Sequence, residues 1–289
     1  MNPPALSSGS YEGQVSIFHI SMRCELRQSV GMEISSLQLS LPEIWRILTI
    51  FMVFLLAGTV KGVIGLGLPT VAVGLLNLVM TPTEAAAILL IPSFFTNVWQ
   101  MVGGPGLVLT TRRLAPALIG ICLGTSLGAL ASRFVAQQQI TAALGVALML
   151  YAMTGRSTGN RVLSARAERW LGPLTGACTG AIAGATGIFV LPAVPYLRAL
   201  GMSRVNLLQA MGLSFTVSTI ALGVVLACAG DFHVADMGLS CFALLPAVAG
   251  MALGRYLNRN MDPAVFARCF FAGLFLLGSY FAFGALVFR

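Results

Sequence analysis

From residue 44 onward the chain is an almost unbroken series of apolar segments, and this limits its fold more than any other feature. A hydrocarbon layer about 30 Å thick takes a helix of ~20 apolar residues to cross. Segments of this kind are read at 44–65, 83–103, 114–133, 137–154, 170–187, 204–229, 237–256 and 264–287. Two more, 68–81 and 189–200, are shorter; as helices they reach only ~20 Å. Each follows a glycine-rich stretch and contains proline, so each is predicted to be a half-helix or a broken one. Only 9% of the 289 residues are charged, against about 25% in a soluble domain. So few polar groups cannot cover a soluble surface. The sequence therefore predicts an all-α, polytopic membrane protein of 8–10 helical segments.

The segments fall into two related sets. Gly58, Gly62 and Gly65 are answered 122 residues later by Gly180, Gly184 and Gly187. Gly120, Gly124 and Gly128 are answered 126 residues later by Pro246, Gly250 and Gly254. Two sets in the same order, with short proline-bearing segments at matching places, indicate an internal repeat with broken helices. The expected organisation is a polar tail at 1–43, a first membrane repeat at 44–154, an Arg-rich link at 155–169 and a second repeat at 170–289. Met22 and Met32 are alternative starts within the tail.

Arginine placement gives an orientation. Arg156, Arg161, Arg166 and Arg169 put the link in the cytoplasm. Alternate crossings then bring Arg112, Arg113, Arg198, Arg204, Arg255 and Arg259 to the same side. The loop with Asp231, His233 and Asp236 falls on the other. Five crossings per set make the second set inverted relative to the first. If 68–81 dips in and returns, the amino terminus changes sides, a reading that Arg23, Arg27 and Arg46 favour.

Several function classes are excluded by inventory. The net charge of +8 comes from basic residues scattered singly or in pairs, not from a run interleaved with aromatics, so nucleic acid is not an expected partner. Only His19 and His233 are available as histidines. There is no H-E-x-x-H, no G-x-S-x-G and no Walker A sequence, so neither an enzyme nor an ATP-driven motor is expected. The six cysteines form no C-x-x-C pair and read as small apolar fillers, with no metal or cofactor implied.

The stretch AGTVKGVIGLGLP, Ala57 to Pro69, carries most of the remaining information. It holds the one lysine of the chain, Lys61. An ammonium inside an apolar segment costs several kcal/mol unless it snorkels, pairs or faces water. Gly62, Gly65 and Gly67 permit unwinding, and the half-helix that follows, with Pro69 near its start, presents free backbone N–H groups to an anion. Lys61 and those amides are expected to bind an anionic substrate together. The competing explanation is a snorkelling lysine and glycines that serve helix packing.

The second-half counterpart, TGAIAGATGIFVLP, has no charge; Thr179, Thr186 and Gly187 are its candidates. Asn97 and Gln100, three apart, share a helix face and need partners, which a substrate or a facing helix can supply. Trp99 reads as an interface anchor. In the matching segment Ser214, Thr216 and Ser218 are small polar residues able to bond their own helix. Glu84, after Pro82, suits a helix N-terminus, with proton coupling as the alternative role. The shortage of intramembrane carboxylates favours an anion carrier over a cation carrier.

AGTVKGVIGLGLP, then TPTEAAAILLIPSFFTNVWQ at 81–100, resembles the TauE/SafE family, the sulfite exporter and anion-permease group. TGAIAGATGIFVLPAVPYLRALGMSR resembles its repeated unit, and the likeness covers roughly residues 45–287. Lys61, Gly62, Gly65, Gly67, Pro69, Glu84, Asn97, Trp99 and Gln100 match the family pattern; Leu68 departs from relatives that continue with further glycine. The resemblance implies a multi-pass protein of the bacterial cytoplasmic membrane, moving sulfite, sulfonates or related organic anions. The expected function is a secondary transporter for a small anion, working by alternating access between two repeats. The expected partners are that anion, the lipid bilayer and further copies in a homo-oligomer. The alternative is a non-transporting membrane scaffold or assembly subunit.

Overall fold

The computed structural model describes residues 41–154, 162–230, 234–260 and 263–287. Residues 1–40 of the tail, Arg156 and Arg161 of the link, Asp231 and His233 lie outside the described residues, as does the side chain of Asp236. The described chain is all-helical. Its helices are α1 (Leu41–Ile64), α2 (Leu68–Leu76), α3 (Pro82–Val102), α4 (Leu107–Ser132), α5 (Gln137–Thr154), α6 (Ala165–Thr186), α7 (Ala193–Ala199), α8 (Arg204–Ala229), α9 (Val234–Asn260) and α10 (Pro263–Val287). Each expected segment corresponds to one of them.

Two helices begin five or more residues earlier than apolarity alone indicates. α4 starts at Leu107 rather than 114, and α6 at Ala165 rather than 170. Both extensions carry arginines, because a helix need not stop where the hydrocarbon does. Ser164 fixes the start of α6: its hydroxyl accepts the Ala167 N–H at 3.3 Å, a side-chain N-cap.

Among the described residues six stretches are long and apolar enough to cross a membrane: Glu43–Ile64, Pro82–Val102, Leu107–Ser132, Arg204–Ala229, Met237–Arg259 and Val265–Gly284. Large apolar side chains such as Leu123, Leu127, Leu245, Leu276 and Phe283 point outward, as a lipid-facing surface requires. The chain is a multi-pass membrane protein. It divides after Leu48 into two units. The described residues of the first, 41–48, are helical. The features that follow all belong to the second, Thr49–Arg289.

Hydrogen bonds define the two ends of the bundle. At the link end, the Leu163 N–H donates to the Ala199 carbonyl at 2.8 Å. Arg113 donates to the Leu200 carbonyl at 3.3 Å and makes a bidentate pair with Glu168 at 2.6 and 2.7 Å. At the far end, Pro82, Ser132, Gln137 and Ala229 surround one cavity. α6 therefore runs away from the link end and α7 returns to it. In the first half, the carbonyl of Gly65 is held by Gln100, close to where α8 starts. α2 then leads from there to Pro82 at the far end.

Small residues bring helices together backbone to backbone, two of the pairs in the same pattern. α4 packs on α6: a Cβ at Gly124 or Gly128 would strike the carbonyl oxygens of Ala177 and Ala181. A Cβ at Gly180 or Gly184 would strike those of Ile121 and Thr125. α1 and α9 repeat the pattern. Gly58 and Gly62 lie against the carbonyls of Ala247 and Met251, and Gly250 and Gly254 against those of Leu55 and Thr59. Without a hydrophobic force between helices in lipid, such close approach supplies the packing energy. Gly62 is thus a helical packing residue, and the expectation that it unwinds the chain is corrected: α1 runs through it to Ile64.

A further device supports α3. Pro92 lies inside this helix and has no N–H to give the Ile88 carbonyl. The Ser240 hydroxyl of α9 donates to that carbonyl at 2.7 Å and accepts the Ile91 N–H at 3.1 Å. Ser240→Ala is expected to destabilise the protein by roughly 1–2 kcal/mol, by orphaning the buried Ile88 carbonyl and taking an acceptor from the partly buried Ile91 N–H. A thermal unfolding scan beside Ser240→Thr, which keeps the hydroxyl, checks this; equal midpoints for all three would refute it.

Candidate functional site

Two breaks in the helices set the geometry. At the first, Gly65 (φ 85°) and Gly67 (φ 109°) take left-handed conformations that a side chain would strain. Pro69 then sits in the opening turn of α2, where its missing N–H costs nothing. At the second, Gly187 (φ 75°) ends α6. Its N–H donates to the Ala183 carbonyl at 2.8 Å. The Thr186 hydroxyl donates to the Ile182 carbonyl at 2.7 Å and accepts the Ile188 N–H at 3.3 Å. Ile188, Phe189 and Val190 follow without helical structure and are fully buried. Non-helical backbone at this depth is stable only inside protein or beside a water-filled cavity.

Lys61 lies one turn before the first break and is buried. It does not snorkel. Its amino group donates to the Thr96 hydroxyl at 3.0 Å and to the Asn97 carbonyl oxygen, both on α3. Thr96 passes its own proton to the Pro92 carbonyl at 2.7 Å. The amino group faces α3, so the anticipated cradle of Lys61 and α2 amides is redrawn around α3. Among the described residues both partners of Lys61 are neutral. An ammonium has three protons to donate, and two are used here.

The same region contains buried polar atoms with no partner among the described residues. The Asn97 amide nitrogen is one, and the Ser93 hydroxyl, four residues earlier on the same face of α3, is another. Thr70 in the first turn of α2 and Ser218 on α8 are two more. Native proteins leave few such groups, and each asks for an explanation. The counterparts expected from the sequence offsets differ at this point. The position 122 beyond Lys61 is Ala183, and the position 122 beyond Thr96 is Ser218, left without a partner.

Gln100 meets the same turn of α1 as Asn97 does, but for another purpose. Its amide nitrogen donates at 3.0 Å to both the Gly65 and Leu208 carbonyls, joining the first break to α8. Gln209, fully buried, does the equivalent one position along α8. It donates to the Met101 and Gly104 carbonyls at 2.9 and 2.7 Å and accepts the Gly106 N–H at 3.1 Å. Gln209, Thr96, Ser93 and Ser240 were not singled out in the sequence. An amide inside an apolar run was signal enough to have found Gln209.

The other candidates are engaged locally. Glu84 forms a capping box with Thr81: the Thr81 N–H donates to its carboxylate at 3.0 Å, and the Glu84 N–H to the Thr81 hydroxyl at 3.3 Å. Thr179 and Thr216 bond carbonyls of their own helices at 2.7 Å. Trp99 points outward, exposed. Among the described residues no three His, Cys, Asp or Glu side chains gather to hold a metal.

The comparison with known proteins bears on what such a site serves. The family model described as Sulfite exporter TauE/SafE matches residues 50–281, most of the chain and both breaks. No curated protein and no solved structure matches it.

Proposed function

The chain belongs to this sulfite exporter TauE/SafE family, a family of membrane transporters for anions, and from that premise we propose that it is a secondary transporter whose substrate is sulfite, a small organosulfonate or a related organic acid. One observation carries the reading: Lys61, buried and held by neutral groups, lies beside unsatisfied polar atoms of α3. A small oxyanion would neutralise the charge, take the third ammonium proton and accept from the Asn97 amide. Lys61, Asn97 and the neighbouring Ser93 are the proposed substrate contacts. Gly65, Gly67 and Pro69 shape the first break, Gln100 ties it to α8, and Thr186 and Gly187 shape the second. Glu84 has the lesser proposed role of proton coupling.

The transport cycle we infer is alternating access between an inverted pair of repeats, 44–154 and 170–289, joined by the link at 155–169. In this reading the link end, where arginines gather, faces the cytoplasm and the protein sits in the inner membrane; the tendency of positive charge to stay inside supports it. Purified protein in liposomes tests the reading. Saturable uptake of sulfite or methanesulfonate, competed by the other, is the expected result. Folded, monodisperse protein that moves no anion would sink it and favour a scaffold.

A further inference from the structure

At the far end a cavity of about 200 Å³ opens between α3, α4, α5, α6 and α8. Thr83, Ser132, Arg133, Gln137, Thr186 and Gly187 line it, with apolar residues between them. The groove beside Ala143, Val146 and Leu150 is lined mainly by aliphatic side chains and suits lipid, and the cavity at the link end, among Arg112, Arg113 and Arg169, already holds a carboxylate, Glu168, paired with Arg113. At about 30 Å³ per water, the far-end cavity holds about six or seven waters. It is too small for a drug-sized ligand and suits an anion of a few heavy atoms.

Arg133 distinguishes it. Arginines at the link end, among them Arg112, Arg113, Arg169 and Arg204, need no functional explanation, because positive charge collects on one side of membrane proteins. Arg133 caps the opposite end of α4, against that tendency. Among the described residues its guanidinium has no carboxylate partner. A planar fork of N–H donors beside a small polar cavity matches two oxygens of an oxyanion.

The cavity is separate from the Lys61 cluster. Its floor is Ala86, Leu222 and Leu226, and eleven residues of α3 separate Ala86 from Asn97, about 16 Å of helix. Toward the link end Gln100 and Gln209 bond α8 to the first break and to the end of α3, with the backbone of α3 hard against Gly212. An anion arriving from the far side meets this cavity first.

We propose that the far-end cavity is an outer anion site, in which Arg133 takes a small oxyanion such as sulfite or a short alkyl sulfonate before it reaches Lys61; its loading role rests on the transport reading above. Two measurements separate the claims. The first needs no transport. Thr83→Cys is labelled with a sulfonate-bearing or an ammonium-bearing methanethiosulfonate, with the unmodified chain as blank. The sulfonate reagent is expected to react faster, its rate falling about 10-fold on adding Arg133→Gln and recovering with Arg133→Lys. Salt should erode the preference. Rates indifferent to Arg133 would overturn the site. The second is sulfite flux in liposomes. Arg133→Gln is expected to raise the half-saturating concentration about 10-fold with the maximal rate unchanged. Flux with an unaltered half-saturating concentration would overturn the loading role. Preserved reagent preference in a protein without flux would uphold the anion site and overturn its place in transport.

Discussion

Gly124→Ala is expected to lower the unfolding midpoint of the protein sharply, and Gly124→Val to leave little folded protein. Gly124 sits where α4 crosses α6, and its added Cβ would meet the Ala177 carbonyl, carbon as well as oxygen. The carbonyl carbon would lie at 2.8 Å and the Ala177 Cα at 2.9 Å. A flexible side chain could swing away from such an overlap, but backbone cannot. Relief requires the two helices to part along their whole contact, which takes Gly120, Gly128, Gly180 and Gly184 out of register as well. Overpacking typically costs about 1–3 kcal/mol, and a crossing with no yielding atom belongs at the top of that range. Gly273 on α10 is the control, since a Cβ there meets nothing within 4 Å. Gly273→Ala should be neutral or stabilise the helix by up to ~1 kcal/mol. The monodisperse fraction after extraction, with a thermal scan on what survives, reads both. Equal behaviour of the two alanine variants would refute the packing argument.

That crossing also shows what a sequence of this kind discloses. The glycine spacings on α1, α4, α6 and α9 were legible because close approach admits almost no other residue, so geometry is written directly into residue type. The same offsets recur in the contacts: Gly58 meets Ala247 as Gly180 meets Ile121. Apolar runs were legible for a similarly blunt reason, the thickness of hydrocarbon. What was not legible is pairing at a distance. Lys61 announced a problem, an ammonium in lipid, without naming its solution; Thr96 and Asn97 are 35 and 36 positions away. Thr96 bonds its own helix, as threonines commonly do, and also accepts from Lys61, a second role that its place in the sequence did not announce. Ser240 gave no sign at all, because its purpose is set by a missing N–H on another helix. Gly62 misled, since glycine serves both unwinding and packing, and only its neighbours Met251 and Gly254 decide between them.

Lys61→Met is expected to separate stability from transport. Methionine nearly fills the volume of the lysine stem and carries no charge. An ammonium at membrane depth costs about 2.5–3.5 kcal/mol. Its two hydrogen bonds to neutral groups return about 1.5–3 kcal/mol each. Lys61→Met removes the charge but leaves the buried Thr96 hydroxyl and Asn97 carbonyl oxygen without this donor, so a loss of about 1–3 kcal/mol is expected. A lysine kept only for structure would lose that stability while the protein that still folds transports normally. If it holds the substrate, sulfite flux per folded protein falls at least about 100-fold, beyond what the loss of stability explains. That is the loss of one charge-assisted contact of ~3 kcal/mol. Lys61→Arg adds a discriminating arm. It keeps the charge but places a planar fork where a point charge sat against Thr96 and Asn97. It should retain binding to anions with altered selectivity among them, whereas Asn97→Leu should weaken binding with the charge still present. Wild-type flux and half-saturation in Lys61→Met would remove Lys61 from the substrate path and leave the unpartnered Asn97 amide nitrogen and Ser93 hydroxyl without an anionic explanation.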